Sequence, residues 1–421
     1  MNDDIIYAGM SHKDIIYNGI SHKAVYLGNK LVWEKDGSGR GIELRFNLYS
    51  GNINKISYFY EIFPSNYYND KHKYISFDMF CNIFENDTTT AIIPYSNYYV
   101  NRVGYALPLW QLAYRIGVNN IIENLSYGKK VQNITHVFAY AHEYKKLPMP
   151  HNNIIDMSYA YYNCYNLTDY PVCGNNVINM ASAYSYCYNL TGPPVCGPNV
   201  TSMDDAYGNC YNLTGSPVCG NNVINMASAY YYCGNLTGSP VCGPNVINMS
   251  HAYYYCGNLT GSPVCGPNVI NMSYAYSDCG NLTGSPVCGP NVINMYGAYY
   301  YCGNLTGSPV CGPNVINMYG AYSDCRNLTG SPVCGNNVIN MSNAYNYCRN
   351  LTGSPVCGNN VINMYSAYYY CRNLNDSIMY IQGEKRTINV TSAFFGVSNV
   401  TIYCQSNITL VGDPFANIIY F

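Results

Sequence analysis

Apolar residues return at fixed intervals through the middle of the chain. Val223, Met226, Tyr230 and Cys233 follow the spacing i, i+3, i+7, i+10, which predicts one buried stripe on a short helix. Gly234 follows the cysteine, where a glycine would end such a helix. The next stretch, Asn-Leu-Thr-Gly-Ser-Pro-Val-Cys, is typical of extended chain, although its recurring proline cannot donate to a β-ladder. Each period therefore predicts a short helix, a narrow strand and an irregular arc.

This pattern repeats every 23 residues. One cysteine column runs from Cys164 to Cys371 in steps of 23, and a second, from Cys173 to Cys357, lies nine residues behind it. The unit reads C-x-N-L-T-G-S-P-V-C-G-x-N-V-I-N-M-x-x-A-Y in nine near-identical copies. Because no unit can bury its apolar stripe alone, the units must stack. We therefore predict an α/β repeat solenoid with a narrow parallel sheet and short helices.

The rest of the chain is organised differently. Three ten-residue units near the N-terminus each read as an apolar run, a glycine turn and a return strand, which predicts small β-hairpins. After residue 371 the repeat decays, and Ala393 and Phe394 echo the Ala-Tyr pair three residues late. The predicted domains are hairpin repeats at 1–33, a linker at 34–41, a small β domain at 42–118, the solenoid at 119–376 and a divergent cap at 377–421.

Composition narrows the classes of function. Charged residues are 10% of the chain and the net charge is −2, which argues against binding nucleic acid, because such proteins need clustered positive charge. The start of the chain has no apolar run of the kind found in signal peptides. No stretch approaches the ~18 apolar residues of a membrane span. We therefore expect folding in a reducing cytoplasm, without a signal peptide or a membrane span.

The repeat resembles a known family. The string N-V-x-N-M-x-x-A-Y-x-x-C-x-N-L-T is similar to the BspA-type leucine-rich repeat over about residues 131–400. It departs from that family in two ways: Tyr replaces Phe, and Pro-Val-Cys-Gly stands in place of a plainer strand. The resemblance implies a parallel solenoid used for adhesion or display, with no catalytic activity. The N-terminal units, which end in AVYLGNKLVWEK, resemble the hairpin segments of tail and head-appendage proteins of tailed, crAss-like gut phages.

The cysteines allow three interpretations. Metal sites favour short spacings such as C-x₂-C, whereas these spacings alternate 9 and 14. Disulfides between adjacent rungs are feasible in distance, but parallel identical side chains rarely reach the required dihedral angle. We favour cysteine as a small core residue. The representative positions are Cys187, Cys210, Cys233, Cys256 and Cys279 in the first column, and Cys196, Cys219, Cys242 and Cys265 in the second.

Tyrosines fall into two sets. The tyrosine after each alanine never varies between copies, which predicts a core position whose hydroxyl reaches the edge. The two residues that follow it vary between copies, so we interpret them as exposed. A Tyr-, Ser- and Asn-rich surface suits adaptable recognition, including that of sugars; the alternative is a merely solvated surface. The candidate recognition ridge comprises Tyr231, Tyr232, Tyr254, Tyr255, Tyr300, Tyr301, Tyr369 and Tyr370.

Other side chains point to no chemistry. The recurring asparagines match glycosylation acceptors, but we favour an asparagine ladder that satisfies turn backbone groups. No pair of carboxylates and no Cys-His couple recurs to serve as acid, base or nucleophile. We therefore expect no enzyme activity, catalytic residue, cofactor or bound metal.

These observations lead to one functional hypothesis and two rivals. The hypothesis is a virion appendage or fibre of a tailed phage. It would form a homo-oligomer, attach to other virion proteins through its N-terminal region, and bind a glycan or protein on the host surface or in mucus. A bacterial or protist cell-surface adhesin would share the solenoid but should show export signals. An intracellular protein-interaction scaffold would leave the N-terminal hairpins unexplained.

Overall fold

The structure is a computed structural model that describes residues 132–421 and six short strands nearer the N-terminus. The strands pair antiparallel as β1 with β2, β3 with β4, and β5 with β6. The first two pairs lie within the second and third predicted hairpin units. The first unit and most of the predicted linker and small β domain lie outside the described residues. The bounds are Ile15–Tyr17 (β1), Ile20–His22 (β2), Ala24–Leu27 (β3), Lys30–Glu34 (β4), Phe59–Ile62 (β5) and Lys73–Ser76 (β6).

From residue 132 onward the chain forms a continuous stack of rungs, most of them 23 residues long. A parallel bridge one residue wide joins each rung to the next, from Asn133–Asp156 at one end to Asn363–Asn389 at the other. The asparagine in this column also closes its own turn, as when Asn225 Oδ1 accepts the N–H of Ala227 at 3.0 Å. The predicted asparagine ladder is therefore confirmed for this column. The repeat solenoid is present, but its sheet is a single bridge wide over most of the stack.

Backbone hydrogen bonds run along the stack axis beside this bridge. Alternate N–H groups donate to the carbonyls of the next rung: Met226 to Asn248 at 2.9 Å, and Tyr230 to Ala252 at 2.9 Å. The N–H of Tyr253, in the same peptide unit as the Ala252 carbonyl, donates onward to the rung beyond. Peptide units therefore line up head to tail in continuous columns, with every N–H in these columns pointing toward the C-terminal end.

The prediction of a short helix in each rung is wrong. The segment that carries the i, i+3, i+7, i+10 stripe is a series of turns, and the one helical element in residues 132–421 is a single 3-10 turn, Arg372–Leu374. Helices pack 8–10 Å apart, whereas bridged rungs lie ~4.8 Å apart. The rungs cannot splay to make room, because the opposite side is also bonded: Thr237 N–H donates to the Gly215 carbonyl at 2.9 Å.

Left-handed backbone makes the turns possible. On the turn side of each rung two residues have positive φ, for example Ser228 at +52° and Tyr232 at +58°. Asn, Asp and Gly recur at these two positions in other rungs, as expected for residues that adopt this conformation most easily. Gly234, to which the sequence assigned a helix-ending role, is not left-handed; Gly238 is, at +81°, and a Cβ there would lie 2.3 Å from Ser216 Oγ.

A ladder of aromatic rings fills the core. Each buried tyrosine stacks on the same residue of the next rung, as Tyr207 does on Tyr230 with ring centroids 5.7 Å apart and planes 5° apart. Phe138 begins the described ladder and Phe394 stacks on its last tyrosine, Tyr368, at 5.0 Å. The predicted core placement of this column is confirmed, since its tyrosines are fully buried. Val, Met, Ala, Cys and Leu of each rung pack beside the rings.

The tyrosine hydroxyls hold the Pro-Val-Cys arc. Tyr253 Oη donates to the Val241 carbonyl at 2.6 Å and accepts the Val241 N–H at 3.1 Å. The same pair of bonds recurs in the neighbouring rungs, for instance between Tyr276 and Val264. Valine makes no rung-to-rung backbone bond in this arc, so the hydroxyl satisfies both of its backbone groups. The two departures from the leucine-rich repeat, Tyr for Phe and the Pro-Val-Cys segment, thus depend on each other.

Wider sheets appear after the last regular rung. Strands β7, β9 and β11 form one parallel sheet, with β9 in the middle, and β8 pairs in parallel with β10. Asn389 of β8 extends the bridge column despite the three-residue insertion. The bounds are Ile378–Ile381 (β7), Thr387–Asn389 (β8), Thr401–Cys404 (β9), Thr409–Val411 (β10) and Asn417–Tyr420 (β11).

Two residues end the peptide columns at the last turn. Ser392 N–H donates to the Asp413 carbonyl at 2.7 Å, and the nitrogen of that same peptide unit belongs to Pro414, which has no N–H to leave unpaired. In the adjacent column, Phe394 N–H donates to the Pro414 carbonyl at 2.9 Å. The next N–H, of Phe415, turns back to Asp413 Oδ1 at 2.8 Å. Two columns of the turn side therefore end here, whereas β10 and β11 are the outer strands of their sheets.

Replacing Tyr253 with Phe should test the role of the hydroxyl. The change leaves the ring but removes both partners of Val241, so the free energy of unfolding should fall by about 1–3 kcal/mol. Hydrogen exchange at the Val241 amide should accelerate. Tyr254→Phe, one residue along on the surface, is the matched control and should change stability by less than about 0.5 kcal/mol. Equal effects of the two changes would contradict the assignment.

The left-handed positions give a second prediction. Tyr232→Asn and Tyr232→Val both remove the ring, but only Asn readily adopts φ near +58°. The Val variant should be less stable than the Asn variant by about 1–2 kcal/mol in urea unfolding. The same pair of changes at Tyr231, whose φ is not positive, should show no such preference for Asn. Equal stability of the two Tyr232 variants would contradict the backbone assignment.

Candidate functional site

Four of the ridge tyrosines form one compact cluster on the turn surface. Tyr231 stacks on Tyr254 of the next rung at 5.1 Å, and Tyr232 stacks on Tyr255 at 4.6 Å. Within each rung the two rings meet edge to face at 4.7 Å. We call these four residues the central cluster. These four side chains lie on the outside because the tyrosine before each pair points into the core. The second residue of each pair then has a positive φ, which turns the chain.

The other ridge residues lie in two separate groups. Tyr300 and Tyr301 form a perpendicular pair at 4.4 Å, separated from the central cluster by the rung that carries Ser277 and Asp278. Tyr369 and Tyr370 stack with Phe395 and Tyr347 at 5.0 Å and 5.3 Å. The guanidinium groups of Arg372 and Arg349 lie over the Tyr370 and Tyr347 rings, at 5.4 Å and 5.6 Å. The ridge is thus three patches along one side, and not a continuous stripe.

Backbone geometry limits which residues occur at the second of the two ridge positions that follow the core tyrosine. The second residue of each pair occupies a left-handed position, where the copies carry Tyr, Asn, Asp or Gly. The limited set of residues therefore reflects backbone geometry as well as exposure. Most of the ridge side chains are half-buried against one another; Tyr255 and Tyr301 are 42% and 45% exposed.

Stacking decides which part of each ring a ligand can reach. In each of the two stacked pairs of the central cluster, one face of each ring is covered by its partner. Burial raises the pKa of Tyr254 to about 12, with neighbouring Tyr255 and Asp278 adding to the rise. Burial also raises the pKa of Tyr231, and the Asp278 carboxylate is the main cause of the raised pKa of Tyr255. At neutral pH these hydroxyls stay protonated and can donate hydrogen bonds.

Two side chains extend the central cluster and were not predicted. His251 stacks on Tyr274 at 5.0 Å and meets Tyr254 edge to face at 5.6 Å. Both occupy the first left-handed position of their rungs. Burial lowers the pKa of His251, which favours the neutral imidazole at pH 7. The sequence carried one signal for both residues. At the position two residues before the core tyrosine, these two copies have an aromatic residue where other copies have serine.

The two cysteine columns have different surroundings. First-column thiols, represented by Cys187, Cys210, Cys233, Cys256 and Cys279, are fully buried. Cys233 Sγ donates to the Tyr207 carbonyl of the preceding rung at 2.9 Å, and burial raises the pKa of that thiol. This bond adds a polar role to the predicted packing role.

Second-column thiols are only partly buried. Cys196, Cys219, Cys242 and Cys265 lie beside the glycine of their own Cys-Gly pair, with Cys196 Sγ 3.6 Å from the Gly197 carbonyl. Burial raises the pKa of Cys196 to about 11 and that of Cys219 to about 12. The thiolate that metal binding and disulfide exchange require is therefore disfavoured. In residues 132–421 every cysteine is a free thiol, and no three His, Cys, Asp or Glu side chains group as metal ligands.

One carboxylate in the turn surface is held in an unusual setting. Asp205 accepts a hydrogen bond from Ser185 Oγ at 2.7 Å, and a Cβ at Gly208 would lie 1.8 Å from its Oδ1, so a side chain there would displace the carboxylate. Burial raises the pKa of Asp205 to about 6, with the Ser185 hydrogen bond opposing the rise and Asp204 adding to it. The two hydroxyl donors to Asp205, Ser185 and Ser182, belong to the neighbouring rung, so the arrangement is a local packing feature of the turns.

No protein-family model matches the chain, and no curated protein matches it. Among solved structures, the chain is similar to the crystal structure of a leucine-rich cell surface protein from Faecalibacterium prausnitzii A2-165. The identity is 14% and the TM-score 0.28, over 59% of this chain and 82% of that one. The solenoid described above rests on the chain's own bridges and hydrogen bonds. Within the described ranges, no helix has the length and apolar character needed to cross a bilayer.

Asp205 should make stability depend on pH. Its folded pKa of about 6 lies above the ordinary value of about 3.9, so the folded state holds the proton more tightly. Stability should therefore fall as the pH rises from about 4 to about 6. Asp205→Asn, which suits the left-handed backbone, should raise stability at pH 7 by about 2 kcal/mol and flatten the curve. Parallel curves for the two proteins in urea unfolding at several pH values would contradict this assignment.

Proposed function

We propose that the protein is a non-enzymatic adhesion rod whose tyrosine patches bind glycans or protein on a host surface or in mucus. The central cluster is the observation that carries the proposal. It presents four phenol hydroxyl groups on rings that are held in place by stacking. Because these rings are already ordered, little side-chain entropy is lost on binding.

The spacing of the patches favours repeated weak contacts. The central cluster and the Tyr300–Tyr301 pair are separated by one intervening rung, and the C-terminal patch follows after two more rungs. At ~4.8 Å per rung, the patches lie roughly 10–15 Å apart along one side of the rod. A polymeric glycan could contact more than one patch at once, so that avidity offsets weak individual sites.

The proposed setting is an appendage of a tailed-phage particle, attached to other virion proteins through the N-terminal region. It is supported by the resemblance of the N-terminal units to phage appendage proteins and by the charge-poor, repeat-built rod. Imaging of purified particles with this chain in place tests the setting. Recovery of the chain from a bacterial or protist envelope would instead favour the cell-surface adhesin, and recovery from a cytoplasmic complex would favour the scaffold.

The glycan hypothesis can be tested with residues that the repeat itself supplies. Other rungs carry Ser where Tyr231 and Tyr254 lie, and Asn where Tyr232 and Tyr255 lie. The variant Tyr231→Ser, Tyr232→Asn, Tyr254→Ser, Tyr255→Asn should therefore fold normally and lose at least about tenfold in glycan-array binding, since tyrosine is one of the residues that contribute most of the binding energy at interfaces.

The control is the double change Tyr380→Ser, Tyr403→Ser. These two tyrosines form a stacked pair at 5.2 Å, away from the ridge, and Tyr380 is exposed. Binding should survive this change. Undiminished binding by the cluster variant, or equal losses in both variants, would contradict the assignment of the ridge as the glycan site.

A further inference from the structure

An exposed row of isoleucines runs along a second side of the solenoid. In the six central rungs the valine before it is fully buried, whereas the isoleucine faces solvent with 41–46% of its surface exposed. The residues of this isoleucine row in the central rungs are Ile224, Ile247, Ile270, Ile293, Ile316 and Ile339. Such a contiguous apolar row is unusual on a monomeric surface.

The backbone fixes this row in a straight line. Ile247 N–H donates to the Ile224 carbonyl at 2.9 Å, and Ile270 N–H donates to the Ile247 carbonyl at 2.9 Å. Beside the row runs a column of asparagines whose amides bond to the preceding rung, as Asn268 Nδ2 does to the Pro244 carbonyl at 2.9 Å. Between the two columns lies a shallow groove of about 760 Å³.

The groove has no charged side chain, because its walls are Asn, Ile and Thr alone. A charged polymer would find no counter-charge there. The exposed ridge varies from rung to rung, whereas the exposed isoleucine is the same residue in every copy but one, where Thr201 replaces it. A partner that fits this surface needs an uncharged apolar face with the same ~4.8 Å repeat.

We propose that the isoleucine row is a self-association surface, on which a second copy of this chain docks with its own isoleucine row. The two rows have the same period, so side chains of one copy can enter the spaces of the other along the whole length, as in a dry zipper of stacked strands. Such a contact uses the same patch on both subunits, which is the usual geometry of a closed dimer.

The available area suits a weak, concentration-dependent dimer. From Ile178 to Ile362 the row spans eight steps of ~4.8 Å, or roughly 38 Å. The asparagine and isoleucine columns lie two residues apart, so with their side chains they form a band roughly 12 Å wide. The product is about 450 Å² per partner, at the small end of specific interfaces. The proposal concerns residues distinct from the tyrosine ridge and does not depend on glycan binding.

Sedimentation equilibrium of the full chain over about 1–100 μM tests the proposal. The average mass of the wild-type chain should rise with concentration toward twice the monomer mass. Ile247→Lys, Ile270→Lys, Ile293→Lys places charges in the dry contact and should raise the dimer dissociation constant by at least about 100-fold. The milder Ile247→Thr, Ile270→Thr, Ile293→Thr set copies Thr201 and should weaken the dimer in the same direction, with unchanged circular dichroism.

Thr237→Lys, Thr260→Lys, Thr283→Lys is the matched control. It adds the same three charges at exposed β-branched residues that are also bonded between rungs, and it should leave the dimer intact. A monomeric wild-type chain at all concentrations would overturn the proposal. So would a folded isoleucine variant that still dimerises, or equal loss of the dimer in the threonine control. The four-residue tyrosine variant should still dimerise, which separates this outcome from that of the glycan test.

Discussion

The distance between neighbouring rungs is the constraint on which the rest of the structure depends. Parallel backbone bonding sets it at ~4.8 Å, and bonds on both the turn side and the Thr237 side keep it uniform around the rung. A helix on every rung has no room at this spacing, so the chain uses turns with alternating backbone handedness instead. The flat ring of tyrosine can stack at this spacing with a modest offset, which accounts for its place in the core.

The core tyrosine unites two requirements that separate residues usually meet. Its ring supplies apolar area to the stack, and its hydroxyl supplies both partners for a valine whose arc has no neighbour to bond. The cysteine thiol has a similar double use, because it packs in the core and also donates to a carbonyl of the preceding rung. A chain with few charged residues can therefore satisfy its buried backbone from within the repeat.

The repeat period, the stacking and the buried residue of each rung could be predicted from the sequence, because they follow from the identity of recurring positions. Val223, Met226, Tyr230 and Cys233 were placed correctly in the core. Their helical spacing was misleading, since turns in a rung can bury the same offsets as a helix. The recurrence of Asn, Asp and Gly at the positions of Ser228 and Tyr232 was the sequence signal for left-handed backbone, whereas the hydrogen bonds of these residues to the next rung are non-local and were not predicted. The isoleucine row was missed because each isoleucine follows a buried valine and looks like core.

The proline at the end of the stack has a consequence for assembly. Repeat rods with bare ends can join tip to tip and grow into filaments, since each new module finds unpaired donors waiting. Pro414 offers none, and Asp413 occupies the donor of Phe415. A second rod arriving at that tip would find no free donor at this turn, but it would meet β10 and β11, the outer strands of their sheets. Any continuation of the stack would therefore have to pair with those two edge strands and not with the turn.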